Sequence, residues 1–227
     1  MSFGTIYTHN PTPRTTAILA IAKLHGLQLD VVFADKQDTE NYAKLLEINP
    51  LGQVPTFVGA DGFVLTECIP ITLYLASQSK TTTLLGATRH DEFLILKWMS
   101  LLNSNTLPAA AGVILPLTGV PLAVRKNVQD CLRAFYKDCQ LLEDHLSSSH
   151  APSAGAGARK YFVGEQLTVA DLFAAGVVQF VATVFHRVLK AEYPRLWEWF
   201  WRVYETPMFR EVAGELVLLD LPVPGLE

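Results

Sequence analysis

The sequence predicts a small α/β domain followed by an all-helical domain. Over residues 1–78, short runs rich in β-branched and aromatic residues alternate with segments of helical spacing. Residues 79–88 are polar and rich in turn formers, which is typical of a linker, and residues 89–227 show no strand-like alternation. The chain has 227 residues, which is long enough to bury a core in each of these two parts.

The elements of the first domain follow the order βαβαββα. Thr12 is a good N-cap and Pro13 a good first residue for the first helix. A helical crossover makes the first two strands parallel, so the layout is thioredoxin-like. The predicted elements are a strand at Thr5–Thr8, a helix from Thr12 to Gly26, a strand at Leu29–Phe33, a helix at Asn41–Glu47, hairpin strands at Thr56–Val58 and Phe63–Leu65, and a helix from Glu67 to about Ser77.

Helical spacing dominates the second domain. It predicts helices at Asp91–Leu102 and Val124–Leu146 and a third helix that begins after Thr168. Thr168 followed three residues later by Asp171 is a capping-box arrangement. The apolar residues after it cover so much of the helix surface that we expect this helix to be buried and to build the core.

Composition excludes several classes of protein. Half of the residues are hydrophobic, 18% are charged and the net charge is −4, which argues against disorder and against a nucleic-acid partner. Cys68, Cys131 and Cys139 form no metal-binding pattern, and so sparse a count fits a reducing compartment. The start of the chain lacks a leader pattern, and the most apolar run, Leu172–Phe185, is shorter than a membrane span. We expect a cytoplasmic protein without a membrane partner or a metal.

One stretch of the first domain has the features of a ligand site. Pro55 lies at the start of a strand whose backbone is exposed, facing the helix N-terminus that begins at Glu67. Exposed strand backbone offers hydrogen bonds to a peptide-like ligand, and the first N–H groups of a helix donate hydrogen bonds to a carboxylate. The alternative interpretation is a strand-turn-strand-helix unit with a structural proline.

Gln53-Val54-Pro55, followed twelve residues later by Glu67-Cys68, resembles the glutathione-binding half of the glutathione transferase superfamily. The resemblance implies that Pro55 follows a cis peptide bond and that the backbone of Val54 pairs with the cysteinyl part of glutathione. It also implies that Glu67 and Cys68 hold the γ-glutamyl end. Cys68 stands where the family usually has a hydroxyl, and a thiol is a weak donor. Lys44 and Gln53 are candidates for the glycyl end, with an ordinary solvated surface position as the alternative.

The resemblance extends over nearly the whole chain. The sequence is similar to the glutathione-transferase-like N-terminal region of elongation factor 1-gamma and to the stand-alone fungal transferases related to that region. The family resemblance implies the glutathione transferase fold, a homodimer, glutathione as cofactor and a small-molecule electrophile as substrate. The matching stretches are Thr5–Thr8, Trp98–Pro108, Tyr161–Glu165, and Thr206–Arg210 before Gly214-Glu215.

The residue that activates the glutathione sulfur stays open at this point. The family places its activating group near the end of the first strand or before the first helix, and four residues here are candidates: Tyr7, Asn10, Thr12 and Arg14. Each also has an ordinary interpretation. Tyr7 suits a packed sheet aromatic, Asn10 a turn, Thr12 a helix cap and Arg14 a solvated helix face. Arg14 is alternatively a partner for the glycyl carboxylate.

The family's electrophile pocket lies between the domains, so Trp98, Leu102, Asn103 and Asn105 are the expected lining, with ordinary helix packing as the alternative. The favoured function is a glutathione-dependent transferase acting on a small apolar electrophile, in fungal detoxification or secondary metabolism. A glutathione-dependent cis–trans isomerase is the second hypothesis. A non-catalytic scaffold, as in the elongation factor, is the third.

Overall fold

The computed structural model describes residues 2–9, 12–80, 82–120, 127–148 and 158–223. Its first part is a four-stranded sheet with strand order β2-β1-β3-β4, in which β1 and β2 are parallel and the other pairs are antiparallel. The predicted order βαβαββα is confirmed. The elements are β1 Gly4–Thr8, α1 Pro13–Leu24, β2 Leu29–Phe33, α2 Thr39–Ile48, β3 Thr56–Gly59, β4 Val64–Thr66 and α3 Cys68–Ala76.

Helix α1 is fixed to the end of β1 by hydrogen bonds between threonines. Thr12 is the N-cap and its hydroxyl accepts the backbone N–H of Arg14, while Pro13 occupies the first helical position as predicted. Thr8, the last residue of β1, exchanges a buried hydrogen bond of 2.7 Å with Thr15 of α1. The carboxyl end of β1 and the N-terminus of α1 therefore lie at the same edge of the sheet.

The second part is helical, as predicted, but α4 does not end where expected. It continues through a π-helical turn, Leu102–Thr106, directly into α5. The predicted helix start at Val124 lies outside the described residues, and the described part of α6 begins after its N-cap, Asn127. The helices are α4 Arg89–Leu101, α5 Leu107–Leu117, α6 Val128–Ser147, α7 Val169–Glu192, α8 Pro194–Tyr204 and α9 Pro207–Ala213.

Helix α7 is the centre of the helical core, and its predicted capping box is confirmed. Buried Asp171 accepts hydrogen bonds from the backbone N–H and hydroxyl of Thr168, from the backbone N–H of Phe162 and from Nε1 of Trp199. Burial raises the pKa of Asp171 to about 6, although these four donors favour the carboxylate. Asp171 thus joins the start of α7 to α8 and to the preceding loop.

Two further properties of α7 matter for the arrangement of the molecule. By length and composition alone this helix could span a membrane, but 67% of its most apolar stretch is buried, as in the core helix of a soluble fold. Gly176 brings α7 against α1, because a Cβ built on it would lie 2.7 Å from the carbonyl oxygen of Pro13. The core of the second domain thereby contacts the backbone that begins α1.

Candidate functional site

A cavity of about 500 Å³ opens where the carboxyl ends of β1 and β2 meet the N-termini of α1 and α3. That volume lies within the usual range for small-molecule sites. Eight of the residues predicted from the sequence come together here: Thr12, Arg14, Gln53, Val54, Pro55, Glu67, Cys68 and Asn103. The rest of the lining consists of His9, Lys36, Tyr42, Asn49, Leu51 and Gly52.

The loop before β3 forms one wall of the cavity. The Val54–Pro55 peptide bond is cis, as the resemblance implied. Buried Asn49 holds the loop by donating from Nδ2 to the carbonyl of Gln53 at 3.1 Å and to the hydroxyl of Thr56 at 3.0 Å. The same loop supplies Val54 to the lining. The wall is thus supported by a side chain that the sequence alone did not single out for this role.

Glu67 begins α3 in an unusual conformation. Its φ of 70° lies in the left-handed region that is costly for residues other than glycine. Its side chain makes no capping hydrogen bond, and no cation of the described residues forms an ion pair with it. The carboxylate of Glu67 is therefore available to a cationic group of a ligand. The first N–H groups of α3, next to Glu67, favour a carboxylate of the ligand.

Arg14 of α1 and Asn103 of the π-helical turn form another part of the lining. The Nε–H of Arg14 donates to Oδ1 of Asn103 at 2.7 Å, and the Sγ–H of Cys68 points to the same oxygen at 3.6 Å. Burial raises the pKa of the Cys68 thiol, while the charge of Arg14 acts in the opposite direction. Cys68 is therefore a protonated, weak donor at the start of α3 rather than a nucleophile.

His9, Lys36 and Tyr42 line the cavity although sequence reasoning passed over them. His9 follows β1 directly and Lys36 follows β2 by three residues. Neighbouring parallel strands end at the same edge of a sheet. The positions of His9 and Lys36 just after two such strands could therefore have predicted that both residues lie at this edge. Nδ1 of His9 lies 2.7 Å from Oδ1 of Asp35, which is close enough for an ion pair but not aligned as a hydrogen bond.

The structure does not bring Tyr7 or Lys44 to the cavity. Side chains alternate along β1, and Thr8 points to α1, so Tyr7 points to the other face of the sheet. Lys44 is exposed on α2 and bonds Glu40 at 2.7 Å, which raises the pKa of Lys44. Lys36 lines the cavity where Lys44 was expected. Asn10, the remaining candidate for activation, lies outside the described residues.

Three of the four residues predicted to contact the electrophile also lie away from the cavity. Trp98 is 1% exposed and packs on His145 and Phe162 in the helical core, and Leu102 is completely buried. Asn105 is exposed but is not part of the lining. Only Asn103 of these four reaches the cavity, and there it bonds Arg14.

Comparisons with known proteins agree with this geometry. Residues 2–77 match the family described as Glutathione S-transferase, N-terminal domain, and residues 125–202 match Glutathione S-transferase, C-terminal domain. Glutathione S-transferase mdpJ of Emericella nidulans is 42% identical over 226 residues, covering 99% of this chain and 98% of that protein.

Two solved structures resemble the fold over most of its length. The GST-like domain of elongation factor 1-gamma from Saccharomyces cerevisiae is 29% identical, covers 98% of both chains and has a TM-score of 0.78. Ure2p in complex with glutathione has a TM-score of 0.78 at 17% identity, covering 93% of this chain and 98% of that one, which shows the fold alone. By sequence and by fold, this chain belongs to the glutathione S-transferase family.

Proposed function

We propose that the cavity binds glutathione and that the chain is a glutathione transferase acting on a small apolar electrophile. The observation that carries the proposal is the distribution of charge around the cavity. Glu67 lies at the start of α3, whereas Arg14 and Lys36 contribute positive charge elsewhere in the lining. Glutathione carries one ammonium group and two carboxylates along a peptide backbone, so it matches this pattern of charges.

The chain's residues have separate roles in this proposal. The backbone of Val54 pairs with the cysteinyl unit, and the Glu67 carboxylate pairs with the ammonium group. The N–H groups that begin α3 hold the adjacent carboxylate. Lys36 and Gln53, two exposed residues of the lining, hold the glycyl carboxylate. Cys68 contributes mainly its backbone N–H, because a thiol donates weakly.

Bound glutathione supplies a thiol whose anion adds to an electrophilic carbon. Lowering a thiol pKa from ~8.5 by about two units requires roughly 2.7 kcal/mol of preferential stabilisation of the thiolate. A charge-assisted hydrogen bond contributes about 1.5–3 kcal/mol, and a helix N-terminus adds about 0.3–1 kcal/mol. Arg14 and the N-terminus of α1, which Thr12 caps, supply both contributions at the cavity wall. The geometry favours Arg14 over Tyr7 for this role.

The homodimer belongs to the same proposal. Large apolar side chains remain exposed on the single chain around the cavity loop and the start of the helical domain. Leu51 is 73% exposed and Phe93 is 59% exposed. A two-fold interface that covers such side chains removes them from water, at roughly 25 cal/mol per Å² of apolar area.

Two other functions use the same fold. An isomerase would add and then release glutathione, so glutathione would be regenerated. The third candidate is a non-catalytic scaffold, and the observation behind it is the likeness to the GST-like domain of elongation factor 1-gamma.

Mass spectrometry after incubation with glutathione and an electrophile panel distinguishes the three functions, provided that glutathione is kept well below the substrate concentration. A conjugate that stops at one equivalent of glutathione supports the transferase. A rearranged alkene in excess over glutathione identifies the isomerase. No product with any electrophile, while glutathione remains unchanged, contradicts both enzymes and favours the scaffold.

A further inference from the structure

Asn103 belongs to the second domain, but its side chain is part of the first domain's cavity. It lies on the π-helical turn between α4 and α5 and accepts hydrogen bonds from Nε of Arg14 and Sγ of Cys68. Arginine has no acceptor, so the contact at 2.7 Å requires the amide oxygen, and not the amide nitrogen, to face Arg14. π-Helical turns displace side chains relative to a continuous α-helix and are frequent at functional sites.

The partner of Arg14 is neutral. Among the described residues, no carboxylate lies within ion-pair distance of the Arg14 guanidinium, and the guanidinium donates one hydrogen bond, through Nε. The two Nη groups therefore have no acceptor in the described part of the chain. Arginine side chains at protein sites are commonly held by carboxylates, which cancel their charge. An amide fixes the same planar group and leaves its charge uncancelled.

We propose that Asn103 is a positioning residue whose neutral amide holds the Arg14 guanidinium at the cavity without neutralising it, so that its full charge acts on the thiolate of bound glutathione. This inference rests on the proposed function. It gives Asn103 a different role from contact with the electrophile. It also explains why this contact spans both domains, since the second domain would set the position of the cation that the first domain uses.

The surroundings of Cys68 support the electrostatic part of this inference. The charge of Arg14 opposes the effect of burial on the pKa of the Cys68 thiol, so its field reaches the start of α3. The charge of Glu67, the residue before Cys68, raises the pKa of this thiol and so acts in the opposite direction to Arg14. Oδ1 of Asn103 contacts both Arg14 and Cys68, so an added negative charge at position 103 would oppose the field of Arg14 at the start of α3.

Three variants separate position from charge. Asn103→Asp keeps the size and the acceptor but adds a negative charge, whereas Asn103→Ala removes the acceptor without adding charge. Asn105→Asp is the matched control, because it adds the same charge on the same π-helical turn at an exposed residue outside the cavity. Two measurements are made on each protein. Nitrogen-15 spectra report hydrogen exchange of the Arg14 Nε–H in the free protein, and ultraviolet titration reports the pKa of the bound glutathione thiol.

We expect Asn103→Asp to keep the Nε–H protected and to raise the thiol pKa by about one unit, which is roughly tenfold less thiolate well below the pKa. Asn103→Ala should lose Nε–H protection and raise the thiol pKa by less. Asn105→Asp should change neither. A thiol pKa in Asn103→Asp equal to that of Asn105→Asp would overturn the inference. Nε–H protection that survives in Asn103→Ala would overturn it as well, and that variant decides the matter if Asn103→Asp does not fold.

Failure of the proposed function gives a different result. If the wild-type protein binds no glutathione, calorimetry shows this before any variant is made, and the proposed function is overturned together with the effect on the thiolate. The exchange of the Arg14 Nε–H is measured without glutathione. It therefore decides separately whether Asn103 holds the guanidinium.

Discussion

Replacing Gly176 with alanine tests whether α7 sets the position of α1 at the cavity. The added Cβ would lie 2.7 Å from the carbonyl oxygen of Pro13, whereas ordinary van der Waals contact begins at 3.4 Å. The atom that it meets belongs to backbone fixed by the Thr12 cap, so the strain cannot be relieved by turning a side chain. Relief would require the two helices to separate by several tenths of an ångström.

Opposing effects determine how much Gly176→Ala changes the free energy of unfolding. Alanine in place of glycine inside a helix stabilises by about 1 kcal/mol, and one buried methyl group contributes about 0.8 kcal/mol. Overpacking a close helix contact costs about 1–3 kcal/mol, and a contact this short with backbone lies at or beyond the upper end of that range. We expect Gly176→Ala to lower the free energy of unfolding by about 1–2 kcal/mol. For a chain of this length, that is roughly 2–8 °C in Tm.

The assay combines urea unfolding with calorimetric titration of glutathione. Because Pro13 precedes Arg14, the variant should also weaken glutathione binding severalfold. Gly112→Ala is the matched control, since its Cβ would meet Sγ of Cys131 between α5 and α6, away from the cavity. It should alter stability while leaving glutathione affinity unchanged. A Gly176→Ala protein with wild-type stability and affinity would refute the idea that this contact positions α1.

Three further predictions follow from the same structure. Glu67→Gln should weaken glutathione binding more than tenfold by calorimetry. Glu47→Gln, which changes an exposed residue outside the cavity lining, should leave the affinity unchanged. Equal glutathione affinities of the two variants would show that Glu67 is not part of the site. Burial lowers the pKa of His145 from 6.5 to about 4. The stability that depends on its neutral imidazole is therefore fully present above pH 6.5 and is lost as the pH falls towards 4. Because Asp171, whose pKa burial raises to about 6, acts in the opposite direction over the same range, the test is a difference between two proteins. Urea unfolding should show that the wild-type protein loses about 1 kcal/mol more stability than His145→Gln between about pH 7.5 and pH 5, after allowance for solvent screening of the partly exposed ring, and equal losses in the two proteins would contradict the assignment. Light scattering should give a particle of roughly 50 kDa, twice the mass of the 25.1 kDa chain. Phe93→Glu should lower the measured mass towards that of the monomer, because it places a charge on an exposed apolar position. A wild-type monomer at micromolar concentration would exclude the dimer.

Local rules explain why so much of the fold follows from the sequence. The Thr12-Pro13 start of α1 and the Thr168–Asp171 capping box are short-range patterns whose hydrogen bonds form within one helical turn. The parallel pairing of β1 with β2 follows from the helix between them. The loop and helix start around Pro55 and Glu67 are also close in sequence, so the order of their residues was enough to locate that part of the site.

The rest of the site depends on direction and distance that the sequence does not show. Tyr7 is one residue from Thr8, and strand alternation places them on opposite faces, yet the sequence alone did not reveal which face meets α1. The helical spacing of Trp98 and Leu102 is compatible with a cavity lining and with a packed core. Both side chains are buried in the core, because the other helices pack against them. The π-helical turn changes the register after Leu101, so it could not be predicted which asparagine would meet Arg14.

Calorimetric titration of the wild-type protein with glutathione tests most directly whether this cavity is a glutathione site. We predict binding heat with a micromolar-to-millimolar Kd, and a markedly weaker Kd for a glutathione analogue that lacks the γ-glutamyl amino group, because Glu67 would lose its partner. No heat at millimolar glutathione would contradict the proposed function and leave the scaffold. Equal affinities for the two ligands would contradict the assignment of Glu67 to the ammonium group.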